Sequence, residues 1–308
     1  MHGVRVRISL NVAEPVERAV AAGAPVVALE TTLVTHGLPH PSGIQVAREL
    51  EDAVRQRGAV PATIGVLDGT VRVGLSAGEL ERLAISSDPA KVNLSNLAFH
   101  LARGGHASTT VAATMLAAYR AGIRVLATGG IGGVHRGAAD TGDVSSDLIA
   151  LARIPVAVVC AGAKAILDLP KTVEMLETLG VPVLGYQTDE FPAFYRRASG
   201  LRVDGRCDDV ESLAAAVRVH LALETGTGVL VGNPIPSEQE LPALTYDRAL
   251  TEAVTDAERA GVRGRAVTPF LLDRMRVLTG GESVEVNRAL LLNNARLAAE
   301  LAVALATM

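Results

Sequence analysis

The chain has no tryptophan, four phenylalanines, four tyrosines and two cysteines among its 308 residues. Each shortage removes a class of function. With aromatics at 3% and a formal net charge of −4, there are neither base-stacking rings nor a basic footprint for nucleic acid. Cys160, in an apolar run, and Cys207, in a polar stretch, form neither a disulfide framework nor a metal-ligand spacing, and they fit a reducing cytoplasm. Long hydrophobic runs are missing too: Gly, Arg or Glu interrupts each apolar stretch before membrane-spanning length. The start, Met1-His-Gly-Val-Arg-Val-Arg7, has no signal-peptide core. The expectation is a cytoplasmic protein whose partner is a small molecule, with no nucleic acid and no membrane.

What is present is an ordered, core-rich composition, 49% hydrophobic and 20% charged. Short β-rich runs alternate with longer helical patterns. The runs are Pro25–Leu29, Thr63–Leu67, Arg124–Ala127, Pro155–Val159, Pro182–Tyr186 and Gly228–Val231. Continuous apolar runs of this kind are strands buried on both faces of a parallel sheet. Helices are expected over Gln45–Arg57, Ala112–Ala121, Val173–Gly180, Ser212–Glu224 and Glu285–Ala306. The pattern predicts a three-layer α/β/α fold with a largely parallel, mixed central sheet, in one domain spanning residues 1–308 with a helical C-terminal segment. Length alone also admits a (β/α)₈ barrel.

Ligands of such folds bind beyond the carboxyl ends of the strands. The residues there are Glu30, Thr128-Gly129-Gly130, Lys164, Gln187-Thr188-Asp189 and Asn233. Lys164 follows the most apolar run, Ile154–Cys160, across three small residues. Desolvation there would favour a neutral, nucleophilic amine, whereas a plain reading makes it a surface lysine before the helical stretch Ala165-Ile-Leu-Asp-Leu-Pro170. Several motifs are decoys. Gly74-Leu-Ser-Ala-Gly78 has the spacing of a nucleophile elbow, but Ser76 and Glu79 make a helix capping box. Gly129–Gly137 lacks both the dinucleotide fingerprint and Walker A, leaving an anion-binding turn with His135 and Arg136, or a tight structural turn. His36 and His40 have zinc-pair spacing, yet Gly37 and Pro39 forbid a regular helix, so loop histidines are expected. The Asn93-Leu94-Ser95 sequon carries no meaning in a cytoplasmic chain. Asp140, Asp143 and Asp147 could hold a hard cation or cap a helix.

Longer blocks carry a resemblance. Ala28-Leu-Glu-Thr-Thr32, Thr35-His-Gly-Leu-Pro39, Thr109–Met115, Ala127–Gly137, Pro155–Lys164, Thr188–Phe194 and Asn233-Pro-Ile-Pro236, with Thr268–Leu272 and Thr279–Gly281, closely resemble the pseudouridine-5′-phosphate glycosidase family along nearly the whole chain. That resemblance implies reversible cleavage of the C–C bond of pseudouridine 5′-phosphate to uracil and ribose 5-phosphate, Mn²⁺ as cofactor, and a homotrimer. It places the amine that captures C1′ on Lys164 and the proton donor on Glu30. Lys91 becomes a sugar-phosphate contact and a second positive charge near Lys164, Asp143 the metal position, and Ser145, Ser146 and Asp147 a substrate-binding triplet. Val111 and Asn287 fall on further contact positions, and Thr109 and Thr110 could present hydroxyls and amides to an anion at a helix start. One block departs: Val92-Asn-Leu-Ser-Asn96 stands where the family commonly has Ser-Arg-Arg-Asp, and Ser146 is commonly Ala. The departure motivates an alternative, a C-ribosylating enzyme that joins ribose 5-phosphate to an aromatic metabolite instead of uracil. A silent sugar-phosphate sensor is disfavoured because both an acid and an amine are retained.

Overall fold

The computed structural model of the protein describes residues 10–37, 41–262 and 267–307. The expectations for residues 1–7 and for His40 lie outside the described residues. Among the described residues eleven strands form the sheet: β1 (Leu10–Val12), β2 (Val26–Leu29), β3 (Val60–Leu67), β4 (Thr70–Val73), β5 (Ala90–Val92), β6 (Ala107–Thr109), β7 (Val125–Ala127), β8 (Ala157–Cys160), β9 (Val183–Tyr186), β10 (Gly205–Cys207) and β11 (Val229–Gly232). The helices are α1 (Glu14–Ala21), α2 (Ser42–Gln56), α3 (Ala77–Ala84), α4 (Leu97–Arg103), α5 (Val111–Arg120), α6 (Ala138–Thr141), α7 (Ser146–Leu151), α8 (Leu169–Thr178), α9 (Val210–Ala222), α10 (Ala243–Arg259), α11 (Val267–Leu278) and α12 (Glu282–Thr307).

The strand order is β1-β4-β3-β2-β7-β8-β11-β9-β10, an open sheet and not a closed barrel. From β3 through β10 every pairing is parallel. The antiparallel part hangs on β3, which starts three residues before the apolar run that announces it. Val60–Thr63 pairs with β2, and the second half turns through Asp68-Gly69 into β4, with Leu67 opposite Thr70. Both turn residues have positive φ, 50° and 68°, as a two-residue hairpin matching strand twist requires. The far end of β3 also pairs with β6, and β6 with β5. This side branch carries Lys91 to the rim, opposite Ser108.

Helices cover both faces. On one side α12 lies across β2, β7 and β8 and packs on α2 and α9; on the other α5 packs on β2, β3 and β7 and against α7. α12 is long and apolar enough to cross a bilayer by length and composition. Its apolar side chains are used otherwise, with Val286, Leu290, Leu291, Leu297, Ala298 and Leu301 buried against the sheet layer. The parallel strands are buried end to end, Val26–Leu29, Ala157–Cys160 and Val229–Gly232 alike, which explains their unbroken hydrophobic sequence. At α3 the Ser76 capping box forms in both directions, so Ser76 is a cap and not a nucleophile.

Candidate functional site

Two cavities meet at the carboxyl ends of the central strands. Glu30, Thr32, Lys91 and Lys164 line both. One lobe is polar and adds Thr110, His135, Asp143, Ser145 and Ser146. The other is an apolar slot walled by Leu33, Phe194, Pro269, Leu272 and Leu291, to which His36, Thr128 and Asn287 add polar groups. The three ionisable side chains therefore stand at the junction of a polar chamber and a slot suited to a flat ring.

Each junction residue is placed by identifiable chemistry. Glu30 follows β2 directly, is 8% exposed, and accepts a short hydrogen bond from the Thr128 hydroxyl at the end of β7. Burial pushes its carboxyl above the usual range, while nearby Lys164 and the Thr128 bond act in the opposite direction. Thr128 is held in turn by α12: Asn294 Nδ2 donates to the Thr128 carbonyl at 2.8 Å, and Asn233 Nδ2 donates to Asn294 Oδ1 at 3.0 Å. Lys164 is fixed through its backbone. Beyond the sheet, the strand after β7 and the strand after β8 keep exchanging bonds, Ala161 N–H to Gly129, Ile131 N–H to Gly162 and Lys164 N–H to Ile131, at 2.9–3.0 Å. Gly162 makes this possible, since its φ is +84° and a Cβ would sit 1.8 Å from the Pro192 carbonyl. Lys91 is held below the ordinary lysine range, first by burial and then by the charge of Lys164.

The glycine-rich turn is structural as well as site-forming. A Cβ on Gly132 would meet Ser145 Oγ at 2.2 Å, and the Gly132 N–H donates to Asp147 Oδ2 at 2.8 Å. Asp147 is 4% exposed, and its other oxygen accepts from the Ala112 N–H at 2.9 Å, tying the start of α5 to the turn. Ser145 caps α7 and Thr110 caps α5, each on the polar lobe's wall. His135, in the same wall, is held below the usual imidazole range by burial, with Asp143 opposing. Cys160, directly beneath, is pushed up to about 12 by burial and is no nucleophile near neutrality.

The structure brings together Glu30, Lys91, Lys164, Thr110, Asp143, Ser145, Ser146, Asp147 and Asn287. It does not bring all the rim residues. Gln187 bonds Asp208 and Asp189 pairs with Arg206 on the sheet's far edge, and Asn233 is buried behind the site. Thr109 spends its hydroxyl on the Ile64 carbonyl at 2.7 Å, and Val111 is 1% exposed in the core, so neither side chain forms the cleft wall. The manganese expectation is corrected. Among the described residues no group of three His, Cys, Asp or Glu side chains could hold a metal ion. The reason is visible in the acidic trio: Asp147 has both oxygens on backbone amides, and Asp140 is exposed on α6, leaving Asp143 with only His135 beside it. The departing block is placed too. Asn93 and Ser95 line the polar lobe and not the apolar slot, within a turn where Asn96 Nδ2 donates to the Lys91 carbonyl at 3.1 Å. Thr128 is expected at the rim but given no role and His36 only as a loop histidine, while Thr32 is not singled out; the Ala127–Gly137, Thr35–Pro39 and Ala28–Thr32 blocks contain the signal.

The chain is similar to known proteins along nearly its whole length. The family described as Indigoidine synthase A like protein matches residues 15–304. A pseudouridine-5′-phosphate glycosidase of Methylobacterium nodulans is 55% identical over 296 residues, covering 96% of this chain and 88% of the relative. Another, from Caldanaerobacter subterraneus subsp. tengcongensis, is 50% identical and covers 96% of each. Among solved structures, the prealnumycin C-glycosynthase AlnA in complex with ribulose 5-phosphate superimposes with a TM-score of 0.90 at 39% identity, over 97% of each chain. An indigoidine synthase A-like protein of Thermotoga maritima gives 0.89 at 37% identity, over 99% of each.

Proposed function

This chain belongs to the indigoidine synthase A-like family, and from that premise we propose that it reversibly splits the C–C glycosidic bond of pseudouridine 5′-phosphate into uracil and ribose 5-phosphate. The observation that carries the reading is the junction itself: an acid and two amines where a polar lobe meets an apolar slot. A bond from sugar carbon to ring carbon has no heteroatom to leave, so the two-carboxylate route of ordinary glycosidases does not suffice.

The junction supports an imine route. Glu30, whose carboxyl burial pushes above the usual range, gives a proton to the ribose ring oxygen as the C1′–O bond breaks. The Lys164 amine adds to C1′, and the nitrogen returns a proton to Glu30. Glu30 then protonates the uracil carbon, the nitrogen lone pair expels uracil, and C1′ becomes a protonated imine of Lys164. Water hydrolyses it to ribose 5-phosphate. One carboxyl thus moves each proton, which explains its place beside the amine. Lys91, Ser145, Ser146 and the Thr110 end of α5 suit the sugar phosphate. The second reading, a different aromatic acceptor, loses its motive because the departing residues face the polar lobe and not the slot.

Incubating the purified protein with pseudouridine 5′-phosphate, with and without added divalent cation, should release uracil. No uracil in either condition at high enzyme concentration would overturn the proposal. We carry the homotrimer in the same way. Exposed Phe99, Leu223 and Leu244 offer apolar surface to other copies, and sedimentation should give a mass near three times 31.9 kDa. A reducing compartment suits the two cysteines, both free.

A further inference from the structure

We propose that His36 reads the aglycone: its Nε2 accepts a hydrogen bond from a ring N–H, making it a specificity-determining residue of the reaction above, on whose reading this inference rests. His36 sits in the single π-turn Leu33–Gly37 and lines both the apolar slot and the outer cavity into which the slot opens. Asn287, Pro269 and Leu272 border the same two spaces, so His36 stands where a ring entering the slot must pass.

The hydroxyls around Nδ1 bear on the tautomer. The Thr35 hydroxyl lies 2.6 Å from His36 Nδ1, a distance that needs a proton between the two atoms. Thr35 has one hydroxyl proton, and it is donated to Ser108 Oγ at 2.8 Å. Ser108 Oγ also lies 3.3 Å from Nδ1, so two hydroxyls face that nitrogen; with Thr35 donating to Ser108, the ring proton is assigned to Nδ1, and in a neutral ring Nε2 is left with a lone pair. Ser108 is fully buried and anchored on β6, opposite Lys91, so this arrangement is built into the sheet's side branch. Burial, and then the charge of Lys91, hold His36 below the usual imidazole range, with Asp88 opposing; the ring is neutral near pH 7. No described residue hydrogen-bonds Nε2.

An acceptor at this place selects a ring that still has an N–H to give. Uracil joined to ribose through carbon keeps two ring N–H groups, whereas uracil joined through nitrogen keeps one. The Asn287 amide, donor and acceptor together, can meet one edge of the ring, and His36 Nε2 the other N–H. A site built to accept a hydrogen bond rejects a ligand that lacks the donor far more strongly than an apolar wall would.

The test compares wild type, His36→Ala and His36→Gln on pseudouridine 5′-phosphate and on its N1-methyl and N3-methyl derivatives, reading kcat/KM for uracil or methyluracil release. Wild type should lose about tenfold or more on at least one methyl derivative. His36→Ala should lose about tenfold on the parent compound and show no further loss on that derivative. His36→Gln, with a carbonyl near the Nε2 position, should restore part of the discrimination. Borohydride trapping of ribose 5-phosphate on Lys164 at wild-type yield in His36→Ala shows that the sugar half of the site is intact; if the alanine variant fails to trap, the glutamine variant decides. Unchanged discrimination in His36→Ala, or wild-type indifference to both methyl groups, overturns the inference alone. No uracil from the wild type overturns the parent reaction with it.

Discussion

On the proposed route Lys164 and Glu30 divide the chemistry, and their substitutions should separate it. Replacing Lys164 by Ala should lower kcat by about 10³-fold or more while KM stays within a few-fold, because the amine acts in bond making rather than in holding the phosphate. Borohydride with ribose 5-phosphate should place the adduct on the peptide carrying Lys164 in wild type and on none in the variant; an adduct on Lys91 would reverse the two roles. Glu30→Gln should abolish turnover and raise the melting temperature at pH 8 but not at pH 4. The sign follows from burial: the folded-state pKa lies above the unfolded one, so the native state bears no penalty below the unfolded value and a growing one as pH rises through the folded value. Melting curves at the two pH values check this. Thr128→Val removes the hydroxyl that lowers the Glu30 pKa, so the basic limb of kcat/KM should move to higher pH. A structural role for Thr128 alone would lower activity without moving the limb.

At the scale of elements, the sequence was informative where one physical pattern ruled and silent where two competed. The six apolar runs are all strands, and the five expected helices are present with ends shifted by a few residues, because doubly buried strands and amphipathic helices announce themselves. The short strands β1, β4, β5, β6 and β10 were not read. Three-residue strands such as β5 lack room for a period, although the Asp68-Gly69 pair was a hairpin signal for β4. The rim of the sheet was half right. Glu30, Thr128 and Lys164 converge because β2, β7 and β8 are neighbours; Gln187 and Asp189 follow β9, on the distant edge, and no spacing in the sequence states strand order. The metal site misled because three spaced aspartates say nothing about backbone amides, and two amides claim Asp147. Two substitutions test these elements. Ser76→Ala should cost about 1 kcal/mol of stability by loss of the capping box and leave kcat unchanged, as seen by denaturant melts and assay. Gly162→Ala should cost more than about 3 kcal/mol or prevent folding, because the left-handed backbone and the Pro192 carbonyl leave no place for a methyl group.

Across the whole molecule, the residues that would touch a sugar phosphate on the proposed reading and those that would touch its aglycone come from different parts of the fold. Glu30, Thr128 and Lys164 hang from the ends of parallel strands, and Ser145, Asp147 and Thr110 from the helix starts beside them, all cross-linked by backbone bonds. The slot is instead closed by the π-turn and by side chains of α11 and α12. This separation makes the protein a two-cassette device. The sheet cassette can be inherited unchanged while the π-turn and α11 are exchanged, so descendants could attach ribose 5-phosphate to new ring carbons without reinventing the amine. For the engineer it sets the order of work: diversify residues 33–37 and 267–278, keep the sheet cassette fixed, and screen for C-nucleosides of unnatural bases.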